Sequence, residues 1–127
     1  MTDSSHFLKD RAVNFLEMVA VGQVRQAYDE YVGPGFRHHN PFFKSDAGSL
    51  MAAMADNAAQ FPDTQLEVQR ALQDGELVAV HSKLRQTPQA RSVAVVHLFR
   101  FEAGRIVELW DIGQAEPENP ANEYGMF

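Results

Sequence analysis

The second half of the sequence alternates between apolar and polar residues, and this pattern constrains the fold more than any other feature. From residue 64 to residue 114 the period is two, as in a β-strand with one buried face. Turn-forming residues interrupt the alternation at Asp74-Gly75, within 86-QTPQARS-92 and around 102-EAGR-105. The sequence therefore predicts at least four antiparallel strands that are joined by hairpins.

The first half predicts helices instead, because its apolar residues recur at helical spacing. The first helix ends near Gly22, and a shorter one covers about residues 23–31. A third, capped by residue 45 or 46, ends near residue 60 before a proline. Between the second and third helices, 33-GPG-35 breaks the chain, and residues 36–43 are expected to form an extended loop.

Helices that precede a run of strands are typical of the α+β class. The sequence predicts three helices that cover one face of a curved antiparallel sheet. Such a sheet forms a cone with an open mouth, and the strand residues that face the helices line its pocket. A length of 127 residues with 45% hydrophobic residues suits a single domain, 1–127, that ends in a tail over residues 115–127.

The composition disfavours several classes of protein. Seventeen acidic against eleven basic residues give a net charge of -6, which disfavours a nucleic-acid partner. The lack of cysteine excludes disulfides and thiolate catalysis. The apolar runs are too short to cross a membrane, and the first residues show no signal-peptide pattern. We therefore expect a cytoplasmic protein without a nucleic-acid or membrane partner.

Two ionisable residues, His97 and Asp111, stand among apolar neighbours in the last two predicted strands. Side chains alternate across a strand, and charged Arg100 and Glu108 mark the opposite face as the outer one. The expected inner face then comprises Val93, Val95, His97, Phe99, Phe101, Val107, Leu109, Asp111 and Gly113. The expected outer face includes Val96, Leu98, Ile106, Trp110 and Ile112.

The length of the turn decides whether the imidazole and the carboxylate meet. A three-residue loop at 103–105 would place His97 opposite Asp111, whereas a two-residue loop would place His97 opposite Trp110. Burial and a neighbouring charge both shift the pKa values of such a pair, which suits general acid–base catalysis near neutral pH. Alternatively, the two residues could form a hydrogen-bonded pair that only organises the core.

Several strings in the sequence resemble the SnoaL-like polyketide cyclase family of the NTF2-like superfamily. They are HNP at 39–41, DGELVAVHSK at 74–83 and VVHLFRFEAGRIVELWD at 95–111. The ending NPANEYGMF at 119–127 is similar to an uncharacterised branch of SnoaL-like aldol-condensation proteins. The resemblance implies the α+β cone described above.

The resemblance also implies a chemistry. Asp111 corresponds to the family's aspartate, the acid and base of an intramolecular aldol cyclisation, and His97 to a histidine that hydrogen-bonds near the substrate. Asn40 matches an asparagine with a polar role in the pocket. The implied function is an aldol cyclase, isomerase or related lyase that acts on a small hydrophobic carbonyl compound without a cofactor.

The chain departs from the family at two positions. Many relatives have EHWD where this chain has 108-ELWD-111, so Leu109 replaces a polar group. Close relatives in the uncharacterised branch often carry aspartate at the position of His97. Both departures leave the substrate open. The loss of the histidine before Trp110 also favours an alternative function, a non-catalytic module that binds a small apolar ligand. A dimerisation domain is a further alternative.

Other side chains are candidates for the pocket. His39 is expected to enter it and His38 to point outward, since neighbours in an extended segment point opposite ways. His81 could line the pocket or a dimer face. The expected walls are Phe15, Tyr28, Met54, Phe61, Phe99, Phe101 and Leu109. His39, His81, His97 and Asp111 could together bind a metal, but their spacing lacks a metal signature and no metal site is predicted.

The outer sheet face is unusually apolar for a surface in contact with water, which predicts a homodimer through that face. The terminal Met126-Phe127 pair is expected to fold over a pocket mouth, either that of its own chain or that of the partner.

Overall fold

The computed structural model of the chain describes residues 4–127. Its elements are α1 Ser4–Ala20, α2 Val24–Tyr31, β1 Val32–His38, α3 Ala47–Gln60, β2 Gln65–Asp74, β3 Leu77–Arg85, β4 Val93–Glu102 and β5 Arg105–Ala115. The three predicted helices and the four predicted hairpin strands are all present. Within these residues, no helix combines the length and the hydrophobicity that a bilayer crossing requires.

The strands form one sheet in the order β1-β5-β4-β3-β2, and the helices pack on one of its faces. Strands β2 to β5 pair antiparallel, as predicted, whereas β1 pairs parallel to β5. The α+β class is therefore confirmed, but the sheet is mixed. The segment interpreted as a chain break and a loop begins with this additional strand.

Strand β1 escapes prediction because its residues are rare in strands. Pro34 lacks a backbone donor and is tolerated at the edge of the sheet. Gly33 lets β1 approach β5 closely, because a Cβ atom added there would lie only 3.0 Å from the Cβ atom of Arg105. Gly33 and Pro34, which indicate a turn in the sequence, are thus compatible with a strand at the edge of the sheet.

The main core lies between the helices and the inner sheet face. Phe15 of α1 packs edge-on against Phe99 of β4, with ring centroids 6.0 Å apart, and its ring lies 5.5 Å from that of Tyr28. Helix α3 begins at the predicted cap, since the Asp46 Oδ2 atom accepts a hydrogen bond from the Ser49 backbone N–H at 2.9 Å. The cap fixes where α3 starts over the sheet.

The turn between β4 and β5 contains two residues, Ala103 and Gly104. Both adopt positive φ angles, 51° and 79°, as a tight hairpin turn of this kind requires. Phe101 consequently pairs with Ile106. By itself, this two-residue turn would set His97 opposite the wrong residue of β5.

A β-bulge at Val107 corrects the register. Arg100 pairs with Glu108, so Val107 is an extra residue without a partner in β4. Beyond the bulge, His97 pairs with Asp111, the pairing that the sequence suggested through a three-residue loop. The bulge also changes what was predicted for two residues. Ile106, expected on the outer face, lies fully buried in the core beneath the helices, and Val107, expected on the inner face, is not part of that core cluster.

The C-terminal tail packs on the outer sheet face. The Phe127 ring stacks on His81 at 6.1 Å between centroids, and the Lys83 Nζ atom lies 5.2 Å from its centre. Both partners point away from the helices, so the tail does not fold over the pocket mouth of its own chain. That it covers a partner's pocket stays a prediction.

The turn generates a prediction about stability. Ala103 holds a left-handed conformation that costs an L-residue about 1 kcal/mol. Ala103→Asn should raise the free energy of unfolding by about 0.5–1 kcal/mol, because asparagine tolerates this conformation best after glycine. Urea titration measures the change.

Gly104→Ala is the matched control for this turn. Its added Cβ atom would meet only Phe7, at an ordinary distance of 3.6 Å, so the cost comes from the backbone angle. It should lower the free energy of unfolding by about 1 kcal/mol. A loss of stability in Ala103→Asn would contradict this account of the turn.

Candidate active site

An open cavity of about 620 Å³ lies among α1, α3, the loop after β1 and the inner face of the sheet. Its apolar lining consists of Leu16, Val19, Ala20, Pro41, Phe42, Phe43, Leu50, Ala53, Met54, Ala58, Leu66, Leu84, Val95, Ile112 and Gly113. Its polar lining consists of Asn40, Asn57, Thr64, His97 and Asp111. Such a volume is typical of sites for small organic molecules.

His97 and Asp111 lie opposite each other on neighbouring strands, and both line the cavity. The imidazole ring lies against Phe99, with centroids 6.1 Å apart. The structure therefore brings together the two residues that the sequence singled out. Their catalytic role stays a prediction.

Burial decides the charge of His97. It lowers the pKa of His97 from 6.5 to about 4 and outweighs the opposing influence of the Asp111 charge. His97 is therefore neutral at neutral pH. It cannot act on the carboxylate as a neighbouring cation, which was one way to interpret the sequence.

The proton of His97 has a preferred position. Within residues 4–127 the side chain forms no hydrogen bond, and its Nδ1 atom is enclosed by protein. A buried N–H without an acceptor is less readily tolerated than a buried acceptor without a donor. The tautomer with the proton on Nε2 is therefore favoured, so the imidazole offers a hydrogen-bond donor to the cavity.

Asn40 orients Asp111. Its Nδ2 atom donates to the Asp111 Oδ2 atom at 3.1 Å, and its Oδ1 atom accepts from the backbone N–H of Phe42 at 3.0 Å. Together the two contacts fix which end of the amide faces the carboxylate. In the described residues no hydrogen bond occupies the Asp111 Oδ1 atom, so this oxygen is available to a bound molecule.

Tyr28 lies in the core behind the site. Its hydroxyl group donates to the Met54 Sδ atom at 3.3 Å, and burial, assisted by the negative charge of Asp111, holds the pKa of Tyr28 far above its usual range. Tyr28 therefore holds its proton more tightly than usual. Because it does not line the cavity and its hydroxyl group is bound to Met54, it supplies no acid there.

Of the predicted wall residues, only Met54 lines the cavity. Asn40, predicted as a polar pocket residue, lines it too, together with His97 and Asp111. Phe15, Tyr28, Phe99, Phe101 and Leu109 are buried in the core, and Phe61 ends α3 outside the lining. Leu109 is only 1% exposed, so the departure from EHWD removes a polar group from the core side of β5 and not from the cavity wall.

The expected orientations of His38 and His39 are reversed. His39 points to the outer face, where its Nε2 atom lies 2.6 Å from the Glu108 Oε2 atom and its ring stacks on Trp110 at 4.9 Å. His38 is buried, with 4% of its surface exposed. The parallel pairing of His38 with Leu109 sets this alternation, and a segment interpreted as a loop gives no signal of it.

His81 also lies on the outer face, beside Arg70 and Phe127. The four residues considered as metal ligands are therefore divided between the two faces of the sheet. In the part of the chain that the structure describes, no three or more histidine, aspartate or glutamate side chains form a cluster that could hold a metal ion.

Glu108 has a structural role that the sequence did not reveal. Its side chain is 7% exposed and binds Arg37 at 3.0 Å, Arg100 at 2.9 Å and His39. The hydrogen bonds from His39 and Arg37, with that from Arg100, lower the pKa of Glu108 to about 2. Glu108 thereby fastens the segment after β1 to β5 from the outside. In the sequence, Glu108 served only to identify the outer face of its strand.

Comparison with known proteins identifies the family. The model of the SnoaL-like domain matches residues 12–109, more than half of the chain. The chain belongs to the SnoaL-like family. The match contains His97 and Glu108 and ends two residues before Asp111. No protein with curated annotation matches the sequence significantly.

Solved structures show the same NTF2-like fold. IdmH, a proposed polyketide cyclase from Streptomyces antibioticus, shares 22% identity at a TM-score of 0.70, over 84% of this chain and 91% of that one. A proposed polyketide cyclase from Acidithiobacillus ferrooxidans shares 20% sequence identity at a TM-score of 0.70. The match covers 90% of this chain and 92% of that one. AclR, a proposed hydroxylase from Streptomyces galilaeus, shares 25% sequence identity at a TM-score of 0.64. The match covers 83% of this chain and 79% of that one.

The pKa of His97 generates a prediction. A histidine whose folded pKa is depressed stabilises the fold above its unfolded pKa of 6.5, and this contribution is lost as the pH falls towards 4. Wild type should lose about 2 kcal/mol of unfolding free energy between pH 7 and pH 4.5 through this residue. His97→Phe, which cannot titrate, should lack that part of the loss.

Chemical denaturation of both proteins at several pH values tests the prediction. The informative quantity is the difference between the two stability curves, because all other titrating groups are common to both. Curves that run parallel from pH 7 to pH 4.5 would contradict a depressed pKa for His97.

Proposed function

We propose that this protein is a cofactor-independent acid–base enzyme that removes a proton from a carbon next to a carbonyl group in a small hydrophobic compound. The observation that supports this proposal best is the arrangement of Asp111 and neutral His97. They face each other on the wall of a largely apolar cavity of about 620 Å³. A carboxylate can accept the proton, and a neutral imidazole N–H can stabilise the oxygen that becomes negative.

In the proposed step, the Asp111 Oδ1 atom takes the proton from the α-carbon. The electron pair of the C–H bond forms the new C=C bond, and the carbonyl oxygen becomes an enolate. The His97 Nε2–H group donates a hydrogen bond to that oxygen. The protonated carboxyl group can then return its proton to another carbon, or to the alkoxide that forms when the enolate attacks a second carbonyl group.

Asn40 supports this step by holding the carboxylate. Because its amide occupies the Asp111 Oδ2 atom, the other oxygen is directed towards a ligand. The resemblance to the family implied a polar role in the pocket for Asn40, which could have been direct contact with the substrate. The contact instead supports an indirect role, in which Asn40 determines which carboxylate oxygen reacts.

The cavity lining supports an apolar substrate. Side chains of α1 and α3 form most of the wall opposite the sheet, and Phe42 and Phe43 extend the apolar surface at its edge, where they are 83% and 45% exposed. A cavity of this size can enclose a molecule of two or three fused rings. The similar proteins described as proposed polyketide cyclases are consistent with such a substrate, whereas AclR shows that the fold also occurs with another proposed reaction.

Asp111→Asn tests the proposal. In D₂O the wild-type protein should catalyse deuterium exchange at the α-carbon of a fused-ring ketone such as 2-tetralone. Proton NMR measures the rate, because the signal of the α-proton disappears as deuterium replaces it. The variant should exchange at least 100-fold more slowly, because an amide cannot accept the proton. Its melting temperature should be unchanged or higher, since a charge is removed from a partly buried site.

Asp56→Asn is the matched control, because Asp56 is exposed on α3 and does not line the cavity. It should exchange at the wild-type rate. If hydrophobic ketones raise the melting temperature of the wild type but none exchanges, the protein is a binding module. A large loss of stability in Asp111→Asn would favour a structural pair instead.

We also propose that the protein forms a homodimer through its outer sheet face. Leu72 and Leu77 are 65% and 49% exposed there, beside a shallow apolar groove of about 310 Å³ that Leu98 and Trp110 help to line. A second copy would cover these side chains. Ile106, which the sequence placed on this face, belongs to the core and takes no part.

Sedimentation velocity tests the dimer. The wild type should sediment as a dimer and Leu77→Lys as a monomer, because the lysine charge would be buried against the second copy. Val21→Lys is the control, since Val21 is 71% exposed near the end of α1, away from this face. A monomeric wild type at micromolar concentration would contradict the proposal.

A further inference from the structure

A second histidine, His38, lies behind the proposed site and is only 4% exposed. It ends β1, does not line the cavity, and its ring lies 6.4 Å from that of Phe36. Most buried polar side-chain atoms have a hydrogen-bond partner, and both ring nitrogens of His38 have one. The identity of those partners shows what His38 can do.

Both ring nitrogens of His38 have a partner of fixed type. The Nε2 atom lies 2.5 Å from the backbone oxygen of Lys44, and the Nδ1 atom lies 3.0 Å from the backbone nitrogen of Asn40. A carbonyl oxygen can only accept and a peptide N–H can only donate. His38 is therefore neutral, with its proton on Nε2 and its lone pair on Nδ1 directed at Asn40.

The contact with Asn40 continues to the carboxylate. The backbone N–H of Asn40 donates to His38, and its side-chain amide accepts from Phe42 and donates to the Asp111 Oδ2 atom at 3.1 Å. Each of these bonds has a defined direction. The chain of contacts thus runs without interruption from the Lys44 carbonyl group to Asp111.

We propose that His38 is a positioning residue for Asp111. Its Nδ1 lone pair fixes the backbone of Asn40, and the fixed backbone directs the Asn40 amide to the Asp111 Oδ2 atom. That Asp111 is the reacting group rests on the proposed function. The positioning itself rests only on the contacts between the residues.

Other contacts hold the same segment independently of His38. The backbone N–H of His39 donates to the Leu109 oxygen at 2.9 Å, and the His39 side chain binds Glu108 on the outer face. Loss of the His38 acceptor should therefore release Asn40 without detaching the whole segment from β5. This makes the effect separable from a general loss of folding.

Two substitutions separate the two nitrogens of His38. In His38→Asn, the side-chain oxygen takes the place of Nδ1 and can accept from the backbone N–H two residues further on, as asparagine does in turns. In His38→Gln, the longer amide can still donate to the Lys44 oxygen, but it leaves no acceptor near Asn40. If His38 only filled space, the longer glutamine would be the better replacement and the smaller asparagine the worse one, which is the opposite order.

Two-dimensional ¹H–¹⁵N NMR at neutral pH provides the readout. His38→Asn should retain the position of the Asn40 side-chain amide signals and the slow exchange of its backbone N–H. His38→Gln should shift those amide signals towards the values of an unbonded amide and speed the backbone exchange by about tenfold. Equal behaviour of the two variants, with the signals kept in both or lost in both, would overturn the proposal.

The wild type provides a test that needs no variant. A long-range ¹H–¹⁵N spectrum should show a neutral His38 with a pyridine-type Nδ1 atom and a protonated Nε2 atom. A proton on Nδ1 would overturn the proposal even if both variants failed to fold.

Ketone exchange separates this inference from the proposed function. If the NMR pattern holds and the wild type exchanges deuterium, His38→Gln should slow exchange by about tenfold and His38→Asn by much less. If the NMR pattern holds but no ketone exchanges, the positioning stands and the proposed function fails. Exchange that is equally fast in both variants would show that the positioning does not serve the reaction.

Discussion

The register between β4 and β5 is the constraint on which the candidate site depends. In a strand a shift by one residue moves every side chain to the other face, so Asp111 reaches the cavity only if the pairing is set correctly. Two local features set it: a two-residue turn whose residues both have positive φ angles, and a bulge that adds Val107 to one strand. Each feature alone would separate His97 from Asp111. Residues several positions from the cavity thus determine its chemistry.

The loop after β1 supplies the second requirement, because it carries the amide that orients the carboxylate. This segment is held against β5 from both faces of the sheet. On the outer face, Glu108 binds His39 of this segment and Arg37 of β1 just before it, and on the inner face Asn40 binds Asp111. Since its hydrogen bonds hold the pKa of Glu108 at about 2, the outer attachment keeps its charge at any pH near neutrality. Within the HNP string at 39–41, the His39 side chain thus binds on the outer face and the Asn40 side chain on the inner face.

Much of this arrangement could be predicted from local sequence features, and the remainder depends on contacts between distant residues. The helices and hairpins follow from periodicity, a cap and turn residues, all of which act over a few positions. The parallel strand β1 does not, because Gly33 and Pro34 disfavour strands and only the edge position beside β5 makes them acceptable. The orientations of His38 and His39 were predicted the wrong way round because nothing in the sequence indicates strand β1, whose pairing with β5 sets them. Alternation placed Phe99 and Leu109 on the inner face, but it could not show that the helices cover them.

The cavity lining pairs one carboxyl side chain with one neutral imidazole. Burial keeps His97 neutral at physiological pH, and Asp111 is the one acidic side chain among the lining residues that the structure describes. A neutral, apolar ketone can enter such a site without bringing or removing an ion. In the proposed reaction, the charge of the carboxylate passes to the carbonyl oxygen as the carboxylate takes a proton, and the total charge of the site does not change. The site then has to stabilise only the new location of that charge, and a donor fixed beside that location costs no reorganisation during the step. A neutral His97 held against Phe99 is therefore better matched to this reaction than a mobile imidazolium would be, since a cation would bind the carboxylate before a substrate could.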